Sequence, residues 1–318
     1  MRLPGFRLAV NALGAAALCA LALFTAPADA GAQGRGFKKK ECLDCHTAFA
    51  DKYLGLQNLH PGVKGGDCAS CHLRHGLVPK LLLKASGNDL CYTCHTRESL
   101  GLDRPEIHSA IRTGKCTDCH DPHGAPGAKL LKAEGAEACF QCHDRKPFER
   151  ANVHQVLRQD GCTACHQSHA SEHPDLLARA GAALCLSCHD SGGGPFRKAH
   201  GGYPVEKAGC VGCHDPHSAA LPALLKTSVH APVAEAACDA CHAAPGSESP
   251  FAPAAAGGEL CLNCHEAAGL RGGGKVTHAP FESGECLSCH DPHAADREKL
   301  LAREGNDLCR GCHADQGG

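Results

Sequence analysis

The chain has no tryptophan, three tyrosines and nine phenylalanines, and its single methionine is Met1. A chain of 318 residues ordinarily buries a sizeable apolar core. With aromatics at 4%, this one lacks the large side chains to build it, so an ordinary α/β enzyme domain is not expected. The 37 glycines and 19 prolines do not follow the Gly-X-Y period of collagen. A net charge of −2 excludes the basic footprint of a nucleic-acid binder. Beyond residue 30 no segment is long and apolar enough to cross a bilayer as a helix. What is abundant is cysteine and histidine, 25 and 24 residues respectively.

Residues 1–30 read as a cleaved secretory signal peptide. Arg2 and Arg7 give a basic start, Leu8 to Phe24 is apolar, and Ala28-Asp29-Ala30 supplies the small residues of a cleavage site. Cys19 leaves with it, so 25 cysteines become 24 in the mature chain. An exported, cysteine-rich chain is by default a disulfide framework, and spacing decides against that default.

All 24 mature cysteines fall into twelve Cys-x-x-Cys-His motifs. They are Cys42, Cys45 and His46; Cys68, Cys71 and His72; Cys91, Cys94 and His95; Cys116, Cys119 and His120; Cys139, Cys142 and His143; and Cys162, Cys165 and His166. The second half holds Cys185, Cys188 and His189; Cys210, Cys213 and His214; Cys238, Cys241 and His242; Cys261, Cys264 and His265; Cys286, Cys289 and His290; and Cys309, Cys312 and His313. This is the spacing of c-type haem attachment. Two thiols form thioethers to the vinyl groups of one porphyrin, and the adjacent imidazole reaches the iron as proximal ligand. Structural zinc places its histidines several residues away, and thioredoxin-like motifs occur once or twice near a βαβ pattern.

Twelve further histidines remain, and eleven are in register with the motifs. His60, His108, His154, His230 and His278 stand eight residues before a first cysteine, and His200 stands ten before. His75, His123, His169, His217 and His293 stand three residues after a motif histidine. His173 fits neither class. Because Met1 leaves with the signal peptide, the sixth iron ligand from this chain is histidine rather than methionine. Twelve spare histidines for twelve irons point to bis-His coordination. Which accessory histidine serves which iron stays open, and an exposed His173 would leave one iron without a protein sixth ligand.

A finer repeat joins motifs in pairs whose first cysteines are 23 residues apart: 68/91, 116/139, 162/185, 238/261 and 286/309. The first of each pair has the upstream histidine, the second has neither accessory histidine, and motifs 42 and 210 are single. Leu82-Leu83, Leu131, Leu176-Leu177, Leu225 and Leu300-Leu301 recur in the linkers, and Gly87, Gly135, Gly181, Gly257 and Gly305 each stand four residues before a first cysteine. Short helices are expected at Lys80 to Ala85, Pro222 to Lys226 and Arg297 to Arg303, with no strand-rich stretch. The chain divides into residues 31–217 with motifs one to eight, a hinge at 218–237, and residues 238–318 with motifs nine to twelve.

Over about residues 42–313 the arrangement resembles the multihaem cytochromes c with doubled Cys-x-x-Cys-His motifs. It is similar to the periplasmic decahaem subunits of outer-membrane conduits and to the small pentahaem electron donor of nitrite reduction. The resemblance implies an all-α, mostly irregular, elongated repeat with short α-helices, built on a covalent haem chain. It implies twelve haem c groups, bis-His ligation, and electron transfer in the periplasm or at the outer membrane. Upstream partners would be a quinol oxidase or a periplasmic cytochrome, downstream ones an outer-membrane conduit or terminal reductase, and a β-barrel could seat the chain. Two rival readings stand beside the carrier: a subunit of an extracellular cytochrome filament, and a reductase of a small oxyanion with one open haem. No catalytic residues are assigned.

Overall fold

The computed structural model describes residues 40–75, 80–271 and 274–314. The signal peptide expected at 1–30 lies outside the described residues. Two units are distinguished, Met1–Cys45 and His46–Gly318. In the first, a 3₁₀ turn spans Cys42–Asp44, and the Asp44 carboxylate accepts the Glu41 N–H at 2.8 Å. The second carries His46 and the eleven motifs that follow.

Helices are short because glycine and proline interrupt the chain every few residues. Among the described residues there are fourteen α-helices, and one of them, α1 (Thr47–Tyr53), reaches seven residues. Helices this short do not persist alone in water, so contacts with the rest of the chain hold them. The upstream histidines sit where such helices begin. His60, His108, His154, His230 and His278 each occupy the N-cap position of a helix of four or five residues.

The mostly irregular character with short helices is as expected, but an all-α class does not describe the chain. Among the described residues, four antiparallel ladders join eight two-residue strands. β1 (Asn58–Leu59) pairs with β3 (Gly124–Ala125), and β2 (Glu106–Ile107) pairs with β5 (Ala170–Ser171). β4 (Asn152–Val153) pairs with β6 (Ser218–Ala219), and β7 (Ser228–Val229) pairs with β8 (Ala294–Ala295). Two residues are too few to show an alternating pattern, so no periodicity betrays them in the sequence. Each ladder runs between the residues just before an upstream histidine and those just after the Cys-His-x-x-His segment of the next unit. The repeats are therefore joined serially, each to its neighbour, as in a solenoid.

These ladders are also the protein core. Among the described residues the buried side chains are Ala125, Ala170, Ser171, Ser218, Ala219, Ala294 and Ala295 in the ladders, and Leu102 and Tyr203 outside them. Small side chains let the backbones close up. At Gly124 even a methyl group would lie 2.8 Å from Leu59 Cδ2.

The expected helices in the leucine-bearing linkers are not what forms. Pro222–Leu224 and Glu298–Leu300 are single 3₁₀ turns broken by left-handed residues, Ala223 at φ 55° and Lys299 at φ 57°. Leu83 within the 80–85 segment makes an isolated bridge to His72. The leucines are drawn onto the motif histidines rather than into helical turns. The recurrent glycines have a local role: Gly87, Gly135, Gly181, Gly257 and Gly305 all adopt φ between 47° and 56°, a left-handed backbone suited to glycine.

Candidate functional site

Each motif from Cys68 onward is one helical turn closed by a bond from the motif histidine N–H to the first cysteine carbonyl, 2.9–3.1 Å long. Residues three and four apart share a helix face, so that bond sets both cysteines and the histidine on one side. No disulfide joins any cysteine from Cys71 onward. Thiols of neighbouring units meet instead. Burial, then the adjacent Cys116, pushes the Cys91 thiol up to about 11, and burial followed by Cys162 does the same to Cys139.

In the first motif of most pairs, and in the single motif 210, the imidazole is anchored through Nδ1. His120, His166, His214, His242 and His290 donate to the carbonyls of Lys129, Asp175, Ala223, Phe251 and Lys299 at 2.8–3.0 Å. This fixes the tautomer and leaves the Nε2 lone pair available to a metal. Four of those carbonyls belong to non-glycine residues in left-handed backbone: Lys129, Asp175, Ala223 and Lys299, each followed by a left-handed leucine. Such positions cost of order 1 kcal/mol each, which the anchored histidine offsets. The next leucine (Leu131, Leu177, Leu225 or Leu301) then bridges back to the histidine.

Eleven of the twelve motif histidines stand opposite one accessory histidine. The second motif of each pair uses the upstream histidine of its own unit: His95 with His60, His143 with His108, His189 with His154, His265 with His230 and His313 with His278, ring centres 5.9–6.3 Å apart. The first motif borrows from the following unit: His72 with His123, His120 with His169, His166 with His217 and His242 with His293, at 5.9–6.1 Å. The single motifs take what is near: His46 faces His75 at 5.7 Å and His214 faces His200 at 6.2 Å. Among the described residues, His290 and His173 face no histidine. His173 contributes a backbone N–H to Ser171 Oγ at 3.0 Å.

The borrowing rule explains the irregular unit. Because His214 already has His200, nothing is required from the next unit, and there Pro245 stands where the other first motifs carry histidine. The junction is made by Tyr203 instead, 4% exposed, whose hydroxyl donates to the Ala243 carbonyl at 2.8 Å.

The accessory histidines are held as firmly as the motif ones. Asp121, Asp215 and Asp291 accept the backbone N–H of His123, His217 and His293 at 2.9–3.1 Å. Tyr53 on α1 donates to Asp121 at 3.1 Å and Arg150 donates to Asp215 at 2.8 Å. Phe49 and Tyr53 pack on the His123 ring, and Phe148 packs on His217. The prolines that follow two of these aspartates also support a histidine, since the carbonyls of Pro216 and Pro292 accept Nδ1–H of His154 and His230 at 2.9 and 3.1 Å. Burial, the largest cause in each case, lowers the pKa of His60, His108, His123, His169, His217 and His293, and of the motif residue His214. Burial thus favours the neutral imidazole that a metal requires. Tyr53, Arg150 and the anchoring carbonyls were not legible as site residues. The recurring Asp-Pro dipeptides and paired leucines were the signals that marked their places.

Two imidazoles bonded to one metal through single nitrogens at about 2 Å hold their ring centres about 6 Å apart, and the eleven pairs have that separation. Among the described residues no group of three or more His, Cys, Asp or Glu is arranged to hold a bare metal ion, so a tetrahedral zinc site does not match. Two facing imidazoles beside a vinyl-reactive cysteine pair fit a haem, whose porphyrin supplies the other four donors.

The family model of the doubled CXXCH motif matches residues 60–100, 108–148, 154–194, 203–229, 230–270 and 278–318. Five of these segments begin on His60, His108, His154, His230 and His278, and the short one covers the single motif at Cys210. A search of curated proteins finds no match. With six matched segments spread over most of its length, the chain belongs to the doubled CXXCH motif family, consistent with a multihaem cytochrome c.

Proposed function

We propose that the protein is an exported electron carrier with twelve covalently attached haems. The observation that carries this reading is the set of eleven histidine pairs, each joining one motif histidine to one accessory histidine. The paired cysteines, Cys42 and Cys45 through Cys309 and Cys312, hold the porphyrins. His46, His72, His95, His120, His143, His166, His189, His214, His242, His265, His290 and His313 are the proximal ligands. When bound, bis-His haems supply one-electron transfer without a free coordination position. At eleven of the twelve motifs the polypeptide would hold the haem with two facing histidines, several of them fixed through Nδ1 on carbonyls, and it replaces bulk core with two-residue ladders.

Signal peptide and family together favour the periplasm or the outer-membrane surface. Among the described residues no helix is long and apolar enough to cross a membrane. Each haem adds roughly two propionate carboxylates to a chain already net negative, so its redox partners present basic patches. The test is intact mass and haem titration of the exported protein. The expected result is a chain beginning at Gly31 with twelve haems and a predominantly low-spin oxidised spectrum. A protein that carries zinc, or disulfides among its motif cysteines, would sink the reading.

A further inference from the structure

We propose that the C-terminal unit, residues 278–314, is a docking site for a doubled-motif repeat carried by a second polypeptide, which supplies the sixth ligand to the iron on His290. The inference rests on the haem reading above. It also rests on two features left unanswered at the same place.

Within the chain, each junction between consecutive units delivers two things from one donor segment. His123, with Gly124-Ala125 behind it, faces His72 and pairs with Asn58–Leu59. His169, His217 and His293 repeat this with Ala170–Ser171, Ser218–Ala219 and Ala294–Ala295. In all four, the N–H of the upstream histidine also donates to the carbonyl of the incoming one at 2.9–3.0 Å. A ligand and a two-stranded ladder therefore arrive together.

In the unit 286/309 both are wanting. His290 is anchored like its equivalents, with Nδ1 on the Lys299 carbonyl at 2.8 Å, yet among the described residues no histidine faces it. Val276 and Thr277 stand where the other units place their receiving strand, directly before the upstream histidine, and among the described residues they join no ladder. Val276 is 89% exposed, whereas its counterparts Asn58, Glu106, Asn152 and Ser228 are paired. Val276 lies in a bend rather than a strand, but its exposed, unpaired backbone groups are of the kind that can pair with another chain. The occupant must combine a histidine with two small residues after it, because the equivalent positions in the four junctions are buried glycine, alanine or serine. His173, the remaining uncommitted histidine, is followed by Pro174 and Asp175 and cannot provide that ladder.

The experiment uses the intact holoprotein and a synthetic peptide of its own donor segment, Asp291 to Arg297. Alone, the monomer is expected to show one high-spin iron when oxidised and to bind one carbon monoxide when reduced. The peptide should convert that iron to low-spin with an affinity at least about tenfold above free imidazole, and Val276→Pro should remove the peptide's advantage while leaving imidazole binding unchanged. Twelve haems that are all low-spin and inert to carbon monoxide in a monomer would overturn the proposal and leave the carrier reading intact. A protein without haem would remove the carrier reading itself. A high-spin iron that binds imidazole as well as the peptide would overturn docking in favour of a small-ligand site. A low-spin dimer that turns high-spin on His173→Ala would overturn it in favour of His173 from a second copy.

Discussion

At the scale of single residues, the 24 histidines separate into classes with different consequences. His123 is fixed by the Asp121 carboxylate at its N–H, by Phe49 and Tyr53 on its ring, and by its place opposite His72. Its removal in His123→Ala is expected to create one additional high-spin iron, seen as carbon monoxide uptake by the reduced protein, while His173→Ala leaves uptake unchanged. An equal effect from both would refute the pairing. Asp215 shows how such a ligand is supported from behind. It is largely buried, with 14% of its side chain exposed, and it accepts from both the His217 N–H and Arg150. Asp215→Ala leaves the His217 N–H without its side-chain acceptor and leaves Arg150 with only the Ser218 carbonyl and Asp296 nearby; it should cost about 1–3 kcal/mol, read as a lower thermal midpoint of the holoprotein. The motif cysteines and histidines, and the register of the accessory ones, were legible because haem attachment needs fixed offsets along the chain. The pairing was not, because His72 and His123 lie far apart in the sequence and nothing local encodes which neighbour is used.

At the scale of elements, the ladders take the place that a hydrophobic core has elsewhere. A two-residue strand gains little by itself, so its stability comes from close approach of backbones sealed by alanine, serine or glycine. Ala219 is completely buried in the β4–β6 ladder, whereas the adjacent Ala220 is exposed. Ala219→Leu is therefore expected to destabilise the holoprotein by about 1–3 kcal/mol through overpacking, and Ala220→Leu to change little. Matching thermal midpoints for the two variants would contradict the ladder as a packing unit. These strands escaped the sequence because alanine and serine have no strand signature and two residues have no period. The linker leucines misled for a related reason. A Leu-Leu step resembles the apolar side of a helical turn, but here left-handed residues such as Lys129 and Ala223 turn a carbonyl onto a motif histidine. A positive φ at a non-glycine residue cannot be read from residue type.

At the scale of the molecule, connection is nearest-neighbour: His72, His120, His166 and His242 depend on the following unit for their accessory histidine, and each second motif depends on its own unit. In a one-dimensional array of this kind, removing a terminal repeat perturbs its neighbour and leaves distant repeats as they were. Truncation after Arg271 deletes motifs 286 and 309 together with His293. His242 then loses the ring that stands 5.9 Å away, and Ser228–Val229 loses its partner strand. The iron on His290 disappears with the deleted unit, but the iron on His242 becomes open in its place. The shortened protein should therefore carry ten haems and still bind one carbon monoxide per chain when reduced, rather than none. The peptide Asp291 to Arg297 should now close the iron on His242, since that segment is its natural donor. If the truncated protein bound no carbon monoxide, or opened several irons at once, ligand supply would not be local, and the serial rule drawn from the four ladders would fail.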